Sequence, residues 1–112
     1  MSSSAVARRV GAVWTQAVAA LAAAVMYAAA AVAGVLVLHI LLVWLAANPA
    51  NAIVSLVSRM SGWLVGPFRA LFTPSDPKQQ IAINEGLAAV VYLLAGGLVA
   101  RGVRMLGGRL IR

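Results

Sequence analysis

The sequence predicts an all-α membrane protein: a two-span helical hairpin with an interfacial amphipathic helix in the connecting segment. Three observations predict it. No side chain from Val10 to Ser58 is charged. The 112 residues are 63% hydrophobic and only 10% charged, whereas a soluble domain has about a quarter of its residues charged. All the prolines fall between Pro49 and Pro77, so helix breakers gather in one block between two apolar stretches. A water-facing surface cannot be assembled from so few charges, and lipid must cover much of the chain.

Residues 1–22 read as an Ala-rich helical lead-in. Thr15 and Gln16 are its only polar side chains after Arg9, and helix propensity is high. Arg8 and Arg9 followed by an apolar run imitate a signal peptide, but the run far exceeds a signal core of about 7–15 residues, so a retained anchor is expected. The first span is placed at 23–47, where roughly 20 apolar residues suffice to cross hydrocarbon. Gly11 to Ala47 as one helix would reach about 55 Å, so it must tilt or project; Gly34 is a possible bend. Asn48-Pro49 stops the helix.

Residues 48–79 form the amphipathic helix and a Pro-rich elbow. Asn51 caps a helix over 52–66. Ile53, Leu56, Val57, Met60, Trp63 and Leu64 share one face, and Ser55, Ser58, Arg59, Gly62 and Gly66 the other. Such a helix either lies in the membrane interface or packs on protein. Pro67 ends it. Asp76, Pro77 and Gln79 then read as N-cap, first helical position and capping-box partner. The second span is placed at 80–106, closed by Gly107-Gly108, with a basic tail at 107–112.

Few polar side chains lie at membrane depth, and those that do are the candidate intramembrane sites: His39, Asn84 and Glu85. Glu85 is either an ion- or proton-binding group or an acid satisfied by Arg59, Arg69 or Lys78. His39 lies about 12 Å before the end of span one, in the same half of the bilayer as Glu85, so a His39–Glu85 or Arg59–Glu85 pair is expected. Trp44, Trp63, Phe68 and Phe72 are expected as interfacial anchors. The steps Gly62–Gly66 and Gly96–Ala100, and the run Ala20, Ala24 and Ala28, have the small-residue spacing of helix–helix contacts.

Several chemistries are argued against. Absence of cysteine removes disulfides, thiolate metal sites and a cysteine nucleophile. One histidine and two acids make a catalytic set or paired-carboxylate chemistry improbable, and no phosphate loop or metal-ligand spacing occurs. No enzyme activity, cofactor or metal is expected. The net charge of +7 sits at the ends of apolar segments, where anionic lipid headgroups are the expected partners. Without a basic face interleaved with aromatics, nucleic acid is not.

From Val35 to Arg104 the chain resembles the YggT family of small bacterial membrane proteins, which has plant relatives in chloroplasts. The residues that carry the likeness are an apolar helix ending near Trp44, Asn48-Pro49, an amphipathic segment, Pro67-Phe68-Arg69, Leu71-Phe72-Thr73-Pro74 and a second apolar helix. The chain is also similar to actinobacterial membrane proteins with an LFTP-D junction before the second span. The resemblance implies a two-span module connected with membrane biogenesis, cofactor-protein assembly, cell division or osmotic stress, and it supplies no catalytic residue.

These readings lead to a small scaffold or accessory subunit that packs on a larger membrane complex or self-oligomer. One alternative is an ion channel or transport component using Glu85, Asn84 and His39; another is a cationic membrane-perturbing protein. The expected location is the bacterial cytoplasmic membrane. Arg8, Arg9, Arg101, Arg104, Arg109 and Arg112 outweigh Arg59, Arg69 and Lys78, which puts both termini in the cytoplasm.

Overall fold

The computed structural model describes residues 3–110. Among them the secondary structure is helical throughout, with no strand: α1 (Ser3–Trp44), α2 (Ala52–Val65), a 3₁₀ turn (Gly66–Phe68) and α3 (Pro77–Leu110). Two of these helices, α1 and α3, are long and apolar enough to cross a membrane, with mean hydropathy of 2.4 and 1.8 over their most apolar stretches. The whole is elongated, 68 × 28 × 17 Å. Lead-in and first span are one unbroken helix of 42 residues, about 63 Å long, which Gly34 does not interrupt.

Each helix end follows from local chemistry. α1 stops at Trp44, three residues short of the expected boundary, because Ala46 turns into the left-handed region at φ 55°. The Ala47 N–H then reaches back to the Leu42 carbonyl (2.9 Å) and the Ala46 N–H to that of Val43 (3.1 Å), the paired bonds of a Schellman cap. Asn51 caps α2 as expected, its side chain accepting from the backbone of Ile53 at 2.9 Å and Val54 at 3.4 Å. Pro67 does not end α2; it lies inside the following 3₁₀ turn, where a missing N–H is tolerated. Asp76 Oδ1 accepts from the Lys78 N–H at 3.0 Å, opening α3. Gly107-Gly108 does not close α3, which continues to Leu110. Gly107 is buried against α1 there, and packing overrides poor propensity.

α1 and α3 lie antiparallel along a seam of small residues. Three levels fix the register: His39 meets Glu85, Ala29 meets Gly96, and Val18 meets Gly107. On α3 these positions recur every eleven residues, close to three helical turns, which keeps them on one face of a nearly straight helix. The buried alanines of α1 are Ala22, Ala29 and Ala33. The expected run Ala20, Ala24 and Ala28 is exposed instead: every face of this helix offers alanine, and the glycines of α3 select which is used. A Cβ at Gly96 would fall on that of Ala29, so the two backbones meet there more closely than any larger residue permits.

α2 packs on this pair through Val57, Ser61 and Val65, while Ile53, Leu56 and Trp63 face outward, Trp63 being 82% exposed. Two valines and a serine therefore face the protein, and the largest apolar side chain, Trp63, faces away. Ala33, Leu36, Val65, Ala88 and Ala89 form the core where the three helices meet, with Tyr92 and Phe68 against its edge.

Candidate functional site

The polar side chains singled out in the sequence converge where α1, α2 and the start of α3 meet. His39 projects from α1 and Glu85 from α3. The His39 Nδ1–H donates to both oxygens of the carboxylate, 2.8 Å to Oε1 and 2.7 Å to Oε2. Both side chains are nearly buried, 12% and 6% exposed. A carboxylate that accepts at Nδ1 fixes the ring's tautomer and orientation. The pair can hold a proton or a charge away from water, because each partner reduces the desolvation cost of the other. Of the two expected partners for Glu85 the structure has His39; among the described residues Arg59 makes no ion pair.

Asn84, one position earlier, is the most fully bonded side chain. Its Nδ2 donates to the carbonyls of Arg69 and Phe72, both at 2.8 Å. Its Oδ1 accepts from the Phe72 N–H at 3.0 Å. Asn84 is thus the clasp that holds the elbow to α3, a role that needs both halves of the amide. The irregular backbone of the elbow is the segment least able to satisfy itself, and the clasp supplies the missing partners.

Two clefts flank His39. One, of about 330 Å³, is bordered by Arg69, Gln80, Asn84 and Glu85. The other, of about 220 Å³, lies between the end of α1 and α2 and is bordered by Ser55 and Arg59. Ser58 borders both, yet among the described residues no hydrogen bond joins it to His39. Nor do three His, Asp or Glu side chains come together there in the manner of metal ligands.

The remaining expected residues separate by role. Trp44, Trp63 and Phe72 are outward and exposed. Phe68 is not an outward anchor: it turns inward against Tyr92, with ring centroids 6.4 Å apart and planes tilted by 59°. Gly96 and Ala100 are buried in the helix seam. Gly62 and Gly66 form no such seam. Gly66 faces open space and ends α2, while the Gly62 carbonyl accepts from Arg69 Nη2 at 2.6 Å.

Three contacts escaped the sequence reading. Trp14 Nε1 donates to the Gly107 carbonyl at 2.8 Å. The Tyr92 hydroxyl donates to the Leu64 carbonyl at 2.7 Å. Ser61, fully buried, makes a long 3.5 Å bond to the Val35 carbonyl. For Trp14 and Tyr92 a signal existed, since an indole N–H or phenol among apolar neighbours needs an acceptor. The acceptors themselves are backbone atoms with no signature in sequence. Comparison with protein-family models, with curated proteins and with solved structures finds no match to the chain.

Proposed function

We propose that the chain crosses the bacterial cytoplasmic membrane twice, with both termini in the cytoplasm, and acts as a small scaffold or accessory subunit. Its outward faces would pack on a larger membrane complex or on copies of itself. The observation that carries this reading is what the helices leave uncovered: only 22% of the most apolar stretch of each long helix is buried. Leu94 and Leu98 on α3 and Leu21 and Tyr27 on α1 all face outward and exposed. The buried polar side chains, by contrast, are engaged internally; among the described residues no buried side-chain polar atom lacks a hydrogen bond. Chemistry is thus committed to holding the three helices together, and apolar surface remains for neighbours. The order of elements around Pro67-Phe68-Arg69 keeps the YggT-like assignment as part of this proposal.

Two experiments test it. Reporter fusions at each terminus and in the elbow give sidedness: termini on opposite sides would refute the two-span topology. Photo-crosslinking from Leu94 and Leu98 in native membranes should give protein adducts of discrete mass, whereas Ala88, buried in the seam, should give none. Adducts to lipid alone would refute the scaffold role.

An ion or proton path through Glu85, Asn84 and His39 is the second reading, and the two clefts meeting at His39 favour it. Against it, Asn84 is held by three hydrogen bonds. Below Glu85 the seam is lined by alanine and glycine, with no polar relay in a single copy. Proton or cation flux into liposomes that is abolished by Glu85→Gln would replace the scaffold reading with this one.

A further inference from the structure

The smaller cleft, between the end of α1 and α2, has two unlike sides. Leu42 and Val54 supply an apolar wall, and Ser55, Ser58, Arg59 and His39 supply a polar one. Its volume is about 220 Å³. That suits a small polar headgroup, and longer apolar chains would have to leave along the Leu42–Val54 side.

Arg59 is the uncommitted charge of this region. The chain has two acids. Glu85 is bound to His39, and Asp76 caps α3. Arg69 is tied to the Gly62 carbonyl and borders the other cleft. Among the described residues Arg59 therefore has no anionic partner, and no carboxylate borders its cleft. A planar guanidinium offers paired N–H donors that match two oxygens of a phosphate. Ser55 and Ser58, on the same helix, add single hydroxyl donors. Exposed Trp44 near the end of α1 places the cleft at the level where aromatic side chains meet headgroups.

We propose that this cleft binds the phosphodiester of an anionic phospholipid, with Arg59 forked onto the phosphate, Ser55 and Ser58 donating to it, and the first methylenes of the lipid on Leu42 and Val54. The inference rests on the membrane-spanning reading and adds a specific lipid site to it. Selectivity follows from charge. A zwitterionic choline headgroup brings a fixed cation for which the cleft has no carboxylate and which Arg59 repels. A phosphoglycerol headgroup brings none.

The test is native mass spectrometry of the full chain released from detergent, after incubation with equal amounts of phosphatidylglycerol and phosphatidylcholine of identical chains. Wild type should retain phosphatidylglycerol about tenfold over phosphatidylcholine, the scale of one uncompensated like-charge contact near a protein surface. Arg59→Gln should bring the ratio near one. Arg59→Lys, which keeps the charge but loses the fork, should keep the preference while lowering retention of both lipids. Ser55→Ala/Ser58→Ala should lower retention without abolishing preference, and Arg101→Gln, on the exposed surface of α3, should leave it intact. Arg59 is itself exposed, so these variants are expected to fold, which circular dichroism checks. The proposal is overturned if Arg59→Gln keeps its preference, or if Arg101→Gln loses as much, since diffuse charge would then explain retention. It is also overturned if millimolar inorganic phosphate displaces the lipid, because the cleft would then be a free-anion site. A detergent-requiring protein without lipid preference removes this site alone; a chain that disperses freely in water removes the membrane reading with it.

Discussion

Gly107→Ala tests the α1–α3 seam where an added methyl would meet three atoms of one β-branched side chain, Val18. The added methyl would lie 2.5 and 2.6 Å from the two Val18 Cγ atoms and 3.1 Å from its Cβ. Apolar carbons rest at roughly 3.5–4.0 Å, so the helices must part by about 1 Å. Val18 cannot turn aside, because valine in a helix has one strongly preferred rotamer and both of its methyls are in the way. Overpacking of this kind costs about 1–3 kcal/mol. The same movement stretches the Trp14–Gly107 hydrogen bond from 2.8 Å past its useful range, for about 1 kcal/mol more. Alanine's advantage over glycine in a helix returns about 1 kcal/mol. The net expectation is a loss of about 1–3 kcal/mol.

The assay is reversible unfolding in mixed micelles of increasing dodecyl sulfate fraction, followed by circular dichroism. A second readout is Trp14 emission in a Trp44→Phe/Trp63→Phe background. Val18→Ala should rescue Gly107→Ala, since it removes both offending carbons, and the coupling between the two should exceed about 1 kcal/mol. A Gly107→Ala protein as stable as wild type, or one that Val18→Ala fails to restore, would refute the register and the close approach together.

Ala46→Gly should stabilise the protein by about 1 kcal/mol in the same assay, because Ala46 sits at φ 55° where an L side chain is strained. Asn84→Ala should cost about 2–4 kcal/mol, leaving three backbone groups of Arg69 and Phe72 without partners, and should speed tryptic cleavage at Arg69 and Lys78. A double-mutant cycle of His39→Gln and Glu85→Gln should give a coupling of about 0.5–2 kcal/mol; zero coupling would remove the pair as a stabilising contact. Tyr92→Phe should cost about 1–2 kcal/mol by stripping the Leu64 carbonyl of its donor, and a silent substitution would mean that water reaches this helix end.

What could be read in the sequence was what local chemistry decides. The charge-free run to Ser58 announces a long apolar helix, and Asn51 and Asp76 announce the starts of α2 and α3 because a short polar side chain before an apolar period has few other uses. The His39–Glu85 contact was one of two pairings that depth along the helices allowed, and Arg59 was the other. What could not be read was what a second segment decides. The seam alanines are indistinguishable from Ala20, Ala24 and Ala28 until Gly96 and Gly107 choose among them. Periodicity put Trp63 and Val57 on one face of α2, but the structure buries Val57 and exposes Trp63; at 100° per residue the two lie about 120° apart around the helix. Asn84 read as a membrane-depth polar group, and its meaning came only when the elbow folded back over it.

The helix ends show how the chain meets its own backbone groups. A helix leaves its last four carbonyls without intrahelical donors. In water, solvent supplies them; in hydrocarbon nothing does, and an unsatisfied carbonyl costs several kcal/mol. In α1 the Leu42 and Val43 carbonyls are met by the chain's own turn at Ala46 and Ala47. In α2 the Gly62 and Leu64 carbonyls are met by Arg69 and Tyr92. In α3 the Gly107 carbonyl is met by Trp14, which lies 93 residues away in sequence. These contacts hold the ends of α2 and α3 against fraying, and the Trp14 contact couples the register of the seam to the integrity of the helices that form it.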